Sequence, residues 1–297
     1  FCTGKMLSLL PAQQILPRLE PILAPHIQLL NSVSTQPAGD QSTRQKIIFV
    51  LKLMSTLFQT LNISRRADDQ PESDTSQLRN SQGEPVDQPV FVIVKQCLPM
   101  FDKVCQNNSK DSEIIDVVCS VLKQTVSTLQ DEIRPLTQDV VNLTMACYRA
   151  MPQPAAIDLV KQFFVMYGRE AEMQVPLKAL MCELCNISLQ TIQSGATMSD
   201  QADLIDSFFT MLAQVLKKQP GLFVNNELNM QLILQGAVHT LTMPEQHPVK
   251  SAASFLNHLI NVSRDVESLV PLINQNGEQI FMQVLFLSTG LRSSKAY

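Results

Sequence analysis

Residues 204–216 read LIDSFFTMLAQVL, and their apolar side chains recur every three or four positions. This spacing matches the 3.6 residues of a helical turn, so it predicts an amphipathic helix that buries one face. The same spacing appears in six other stretches, at residues 47–61, 114–129, 157–167, 177–184, 230–241 and 249–260. Residues 89–94 have the composition of a strand, but they continue without a break into helical spacing, and we expect a helix there too. The chain is therefore predicted to be all-α.

The predicted helices repeat at a regular interval. Asp116, Asp158 and Asp206 each follow an isoleucine early in a helix, and they are 42 and 48 residues apart. Lys250 holds the corresponding position 44 residues further on. Intervals above forty residues with two helices per unit are typical of HEAT or armadillo repeats. We therefore predict an α-α superhelix, a HEAT-repeat solenoid, with helix pairs at 89–130, 131–169, 172–219 and 225–262, one pair before residue 64, and a first helix from about 265.

The repeats are predicted to form a single domain over residues 1–297. Residues 64–88 are almost entirely polar, and we expect them to form a flexible loop between helices. Short connections elsewhere predict antiparallel neighbours, with Asp111, Asp200 and Asn225 as helix N-caps. Because the sequence begins at Phe1 and ends at Tyr297 soon after a helical stretch, we expect it to be part of a longer protein.

Composition excludes several classes of function. The net charge is −4 and only 17% of residues are charged, which disfavours direct binding of nucleic acid, since that needs clustered lysines and arginines. No uncharged apolar stretch approaches the ~18 residues of a membrane span, and no membrane contact is predicted. The seven cysteines lie within helical patterns, which indicates reduced thiols in the cytosol or nucleus.

No motif in the sequence supports catalysis. Cys182 and Cys185 form a CxxC pair, but the pair lies inside a helical stripe without the further ligands that zinc requires, so we expect core thiols. The chain has four histidines, His26, His239, His247 and His258. None of them has a nucleophile and a carboxylate at the spacing of a catalytic triad. We therefore predict a protein that is not an enzyme and has no catalytic, metal or cofactor site.

The remaining candidate is the surface of the repeats, because a stack of helical hairpins presents an extended face lined by the second helix of each pair. Polar residues on those helices are candidates for contact with a protein partner: Lys123, Gln124, Lys161, Gln162, Gln214, Lys217, Lys218 and Asn257. The repeated aspartates permit two interpretations. They form an acidic recognition ladder, or each carboxylate caps a helix or bridges to the neighbouring repeat.

Several stretches resemble the karyopherin-β (importin-β) family of nuclear transport receptors. They are LLPAQQ at residues 9–14, PAGDQSTRQKIIFVL at 37–51, and IDSF at 205–208 followed by LAQVLKKQPGLF at 212–223. The resemblance extends more loosely along nearly the whole chain. It implies a HEAT solenoid that wraps folded cargo and shuttles between cytoplasm and nucleus.

The resemblance also implies partners. They are Ran GTPase, which controls loading and release of cargo through N-terminal repeats, and the phenylalanine-glycine repeats of nucleoporins. It implies transport in both directions, with the exon-junction core heterodimer among the imports and a translation initiation factor among the exports. By this likeness the chain corresponds to a C-terminal portion that lacks the Ran-binding repeats. The alternative from another class is a static HEAT scaffold for assembly of a protein complex, without dependence on Ran.

Overall fold

The computed structural model describes residues 2–35, 40–61, 87–194, 199–223 and 228–289. These residues form helices joined by turns and contain no strand, as predicted. The α-helices are α1 (Cys2–Ser8), α2 (Ala12–Ser34), α3 (Gln41–Thr60), α4 (Pro89–Asn107), α5 (Ser112–Leu129), α6 (Thr137–Ala150), α7 (Pro154–Tyr167), α8 (Gln174–Ser194), α9 (Ala202–Lys218), α10 (Met230–Thr240), α11 (Gln246–Val262) and α12 (Val270–Thr289). The helix expected from residue 89 is confirmed as α4.

The chain divides into two compact units, Phe1–Met151 and Pro152–Tyr297. The single solenoid over residues 1–297 stays a prediction. The predicted flexible loop at 64–88 lies outside the described residues except for Asp87 and Gln88, and Gln88 is buried where it precedes α4.

The first unit has two layers of helices. In one layer α2 packs on α4 and α4 on α6, and in the other α3 packs on α5. The layers meet where α2 contacts α3 and where α4 contacts α5. Helices of this unit are therefore packed both on the other layer and on the equivalent helix of the next pair, which is how repeats share one core.

The second unit follows the same rule. Helix α9 packs on both α7 and α11, while α10 packs on both α8 and α12. The contact between α9 and α11 includes Phe209 and Phe255, whose ring centroids are 5.8 Å apart and whose side chains are fully buried. Burying one such side chain stabilises the folded state by about 2–3 kcal/mol. The apolar stripe that predicted α9 from the sequence is the face that makes these contacts.

Polar side chains fix neighbouring repeats of the first unit in register. The Asn107 Nδ2 donates to the Ser34 carbonyl oxygen at 2.7 Å, which joins the end of α4 to the end of α2. The Thr128 hydroxyl donates to the Phe58 carbonyl oxygen at 3.1 Å, which joins the end of α5 to the end of α3. Carbonyls in the last turn of a helix lack their usual partner within the helix, and Asn107 supplies a donor to one of them. The Phe58 carbonyl also accepts from the backbone N–H of Leu61, so Thr128 adds a second donor to it.

The predicted helix caps had mixed outcomes. Asp111 caps α5, since its carboxylate accepts from the backbone N–H groups of Glu113 and Ile114. The prediction for Asp200 is wrong, because it lies in the 3₁₀ turn Ser199–Gln201 and α9 begins after Gln201. Asn225 lies outside the described residues. The structure adds Asp40 as the cap of α3 and Asn229 as the cap of α10.

Candidate partner-binding surfaces

Four of the predicted contact residues are exposed on two helices that pack together. Gln214, Lys217 and Lys218 lie on α9 at intervals of three and four residues, which places them on one side of that helix, and Asn257 is exposed on α11. We call these four residues the α9–α11 face. Because α9 buries its apolar side against neighbouring helices, the polar stripe of Gln214, Lys217 and Lys218 is the side of α9 that a partner can contact.

Charge changes sign along the exposed stripe of α9. Its first turn carries the exposed Asp203 and its last turn carries Lys217 and Lys218. Carboxylates near a helix N-terminus and amines near a C-terminus interact favourably with the helix dipole. The sign change thus contributes to helix stability, and it also leaves the α9–α11 face with a basic end.

The other predicted contact residues are less available. Lys123 and Gln124 on α5 are half-buried, and so are Lys161 and Gln162 on α7. The Lys161 ammonium lies 2.8 Å from the Asp158 carboxylate of the same helix. Lys161 and Gln162 share a layer with the α9–α11 face through the contact of α7 with α9, whereas Lys123 and Gln124 belong to the first unit.

The three repeated aspartates differ in their surroundings. Asp158 pairs with Lys161 one turn along α7, Asp116 is exposed on α5, and Asp206 is half-buried on α9. The ion pair of Asp158 lies within its own helix. The recognition ladder and the bridge between repeats both stay predictions.

The first unit contains a groove that sequence reasoning missed. It has a volume of about 620 Å³ and lies between α4 and α6, within the size range of ligand pockets. Its lining contains both apolar and polar residues, with Leu98, Pro99, Leu136, Leu143 and Ala146 in the first group and Lys95, Asp102, Asp139 and Asn142 in the second. We call it the α4–α6 groove. In the sequence, Leu98 belongs to an apolar helical stripe and precedes Pro99, but this pattern does not indicate a groove, because its volume depends on how α6 packs against α4.

Thiols of α4 and α6 meet next to this groove. Cys105 on α4 and Cys147 on α6 are both buried, and their side chains form a hydrogen bond. This bond, together with burial, raises the pKa of Cys105 well above its ordinary value, whereas it lowers the pKa of Cys147.

The residues considered for catalysis or metal binding lie in the scaffold. Cys182 and Cys185 are both buried in α8, and burial raises the pKa of Cys185. Within the described ranges, no three His, Cys, Asp or Glu side chains are grouped so that they could hold a metal ion. None of the helices in those ranges combines the length and the apolar character needed to cross a bilayer.

Two family models match the chain. The Transportin-3/Importin-13 fourth TPR domain matches residues 88–192, and the Importin 13 repeat matches residues 241–290. Together they cover more than half of the sequence. The name of the first refers to tetratricopeptide units, but the helix pairs here recur at more than forty residues, which is the interval of HEAT-type repeats.

Curated relatives agree with these models. Importin-13 of Homo sapiens is 30% identical over 282 residues, which is 95% of this chain and 29% of the human protein. Importin-13 of Gallus gallus gives the same identity and coverage, and that of Mus musculus is 29% identical. The chain thus spans less than a third of the length of these relatives.

A solved structure of importin-13 in its cytosolic state superposes with a TM-score of 0.79 at 23% identity, covering 94% of this chain and 30% of that one. This match shows that the helical-repeat fold is shared. Taken with the matches to the curated relatives and to both family models, it leads to one assignment: the chain belongs to the importin-13 family.

Proposed function

We propose that this chain is part of a nuclear transport receptor that carries protein cargo between cytoplasm and nucleus under the control of Ran GTPase. The observation that carries the proposal is its likeness to importin-13 of several vertebrates along 95% of its length. A transport receptor acts by binding, so the proposal assigns no catalytic residue to the chain. Shuttling between the two compartments follows from that role.

Cargo is proposed to bind the α9–α11 face. Lys217 and Lys218 are exposed cations that complement an acidic surface, and Gln214 and Asn257 supply amide donors and acceptors beside them. In this proposal Lys161 and Gln162 extend the contact onto α7, which packs on α9. Lys123 and Gln124 are proposed as contact residues of the first unit. The cargoes that the resemblance implies are the exon-junction core heterodimer for import and a translation initiation factor for export.

Phenylalanine-glycine repeats of nucleoporins are proposed to bind the α4–α6 groove. The apolar lining of the groove includes Leu98, Leu143 and Pro99, which suit a phenylalanine ring. Its polar lining includes Asp139 and Asn142, whose oxygens can accept from peptide N–H groups. The groove lies on α4 and α6, whereas the proposed cargo face lies on α9 and α11. Cargo and pore repeats would therefore use different residues of the chain.

Comparison of nucleotide states of Ran tests the function as a whole. The full-length receptor is immobilised and incubated with each proposed cargo, together with Ran loaded with a non-hydrolysable GTP analogue or with GDP. A transport receptor releases the import cargo with the GTP form and retains the export cargo only with that form. Equal retention with both nucleotides would identify a static scaffold instead and overturn the proposal.

A further inference from the structure

The thiol pair formed by Cys105 and Cys147 has no part in the proposed binding of cargo or of pore repeats. The two residues come from different helices, α4 and α6, which pack against each other. Both are free thiols, both are buried, and their sulfurs are joined by a hydrogen bond. A disulfide holds its two sulfurs at roughly 2.05 Å, and a hydrogen bond between thiols of two packed helices brings together the two atoms that such a bond would join.

The surroundings of this pair differ from those of the other core thiols. The hydrogen bond from Cys105 lowers the pKa of Cys147, while burial raises the pKa of Cys97 to about 12. The thiolate is the nucleophilic form of cysteine, so Cys147 is the sulfur that attacks an oxidant. Neither sulfur lines the α4–α6 groove, but their sequence neighbours do: Ala146 and Leu143 line it one residue and one turn before Cys147, and Asp102 lines it one turn before Cys105. The groove is therefore the opening from which we expect an oxidant to reach the pair.

We propose that Cys105 and Cys147 are a redox-sensitive pair that forms a disulfide and thereby joins α4 covalently to α6 at the α4–α6 groove. The oxidant is a peroxide, small enough to enter the groove. The Cys147 thiolate attacks one peroxide oxygen, the O–O bond breaks, and the departing hydroxide takes a proton to leave as water, which gives a sulfenic acid. The Cys105 sulfur then attacks the Cys147 sulfur, its proton goes to the sulfenic hydroxyl, and a second water leaves. In total the two thiols lose two electrons and two protons, and the peroxide becomes two waters.

The disulfide changes the groove. Shortening the sulfur–sulfur contact draws α4 towards α6 and fixes their spacing, so the groove becomes narrower and can no longer adapt to a bound side chain. This consequence for ligand binding rests on the proposed function of the groove. Formation of the disulfide does not.

Peptide mapping tests the disulfide directly. The folded chain is treated with hydrogen peroxide, free thiols are blocked, and a non-reducing digest is analysed by mass spectrometry. We expect a cross-linked Cys105–Cys147 peptide that has lost two hydrogens, and a dithiol reductant should restore the two free thiols.

Cys97→Ala, at a buried thiol on the same helix α4, is the matched control and should form the link as the wild type does. Cys105→Ala should leave Cys147 as sulfenic acid or its further oxidation products. Links to Cys97 as frequent as links to Cys105, or a link that forms only after denaturation, would overturn the proposal.

Binding of a phenylalanine-glycine peptide separates the two claims. The reduced chain should bind the peptide, and the peroxide-treated chain should bind it more weakly by roughly fivefold or more, as expected of a side chain forced into a site that has become too narrow. Ala146→Arg, which fills the groove from an exposed position, should lose the peptide yet still form the disulfide, whereas Ala150→Arg, exposed on α6 outside the groove, should change neither. Absence of binding by the reduced chain contradicts the proposed function and leaves the disulfide standing. Equal binding before and after oxidation contradicts the regulation.

Discussion

At the scale of single residues, Gln130 is strained. Its φ is 51°, the one positive value at a non-glycine position in the part of the chain that the structure describes. The residue ends α5, where its backbone N–H bonds to the Val126 carbonyl, and it begins the 3₁₀ helix Gln130–Leu136. Its ψ of −118° lies in a region that glycine occupies more easily than any residue with a Cβ. The junction between α5 and this 3₁₀ helix therefore holds a conformation that a glutamine does not favour.

Replacing this residue should stabilise the protein. We expect Gln130→Gly to raise the free energy of unfolding by about 1 kcal/mol, because relief of backbone strain exceeds the extra entropy that glycine loses on folding. Denaturant unfolding followed by circular dichroism measures it. Gln45→Gly, at an exposed position inside α3, is the matched control and should lower the same quantity by about 1 kcal/mol. Destabilisation of both variants to a similar extent would show that Gln130 is not strained.

The thiol pair shows how far a single residue can be predicted. Cys105 and Cys147 are 42 residues apart, as are Asp116 and Asp158, so the repeat interval places the two cysteines at equivalent positions of neighbouring pairs. Equivalent helices of neighbouring pairs pack together, and the spacing could have indicated the contact. Whether two such side chains point towards each other depends on the rotation of each helix about its axis. The apolar periodicity does not define that rotation closely enough to place one particular side chain.

At the scale of elements, an ion cluster joins α3 to α5. Arg44 Nε lies 2.6 Å from Asp111 Oδ2, and Arg44 Nη2 lies 2.6 Å from Glu113 Oε2. Asp111 also caps α5, so one carboxylate serves the helix end and the contact with the preceding pair. The hydrogen bonds of Arg44 hold the pKa of Asp111 below its ordinary value of 3.8. The cap could be predicted from local sequence. The ion pair could not, because its partners are 67 residues apart.

Asparagine at position 111 separates the two roles of this carboxylate. Asp111→Asn keeps an acceptor for the cap and loses the charge, and we expect it to lower the free energy of unfolding at pH 7 by about 1 kcal/mol, the upper range for a partly exposed pair. Since the pKa of Asp111 is lowered on folding from 3.8, its charge contributes stability above that pH, and the contribution is lost as pH falls further. The difference between variant and wild type, measured by denaturant unfolding from about pH 7 down to about pH 3, should therefore shrink at the acid end.

A second carboxylate serves as the control for this pH dependence. Asp265→Asn, at an exposed position after α11, should have little effect on stability at neutral pH and should not reproduce the convergence. If the difference at position 111 were the same at both ends of the pH range, the charge of Asp111 would contribute nothing to the contact between α3 and α5.

At the scale of the whole molecule, the sequence predicted helices well and surfaces less well. An apolar stripe such as that of residues 204–216 predicts a helix from the order of residues within that stretch alone. Each stretch with such a stripe forms a helix in the structure. The α4–α6 groove was missed because its volume depends on how far apart two helices lie. Lys217 and Lys161 were both predicted to be available to a partner. Lys217 is exposed, whereas Lys161 is half-buried beside Asp158. Periodicity identifies the polar side of a helix, but it does not show which side chains pack near that side.

Charge is the property of the whole molecule that tests the proposed cargo face. The chain carries a net charge of −4, so an acidic cargo is attracted only where cations are concentrated, as Lys217 and Lys218 are at the end of α9. Reversing both, in Lys217→Glu with Lys218→Glu, should slow association of the full-length receptor with a proposed cargo by about tenfold at low salt and should flatten the salt dependence of the rate. Stopped-flow fluorescence over a series of salt concentrations measures both effects.

The control reverses the exposed Lys103 and Lys110 instead, which gives a variant with the same net charge and leaves α9 intact. This control should retain most of the rate, because steering depends on where the charges lie. Should both double variants slow association equally, net charge alone would be responsible, and the cargo would have to bind elsewhere than the α9–α11 face.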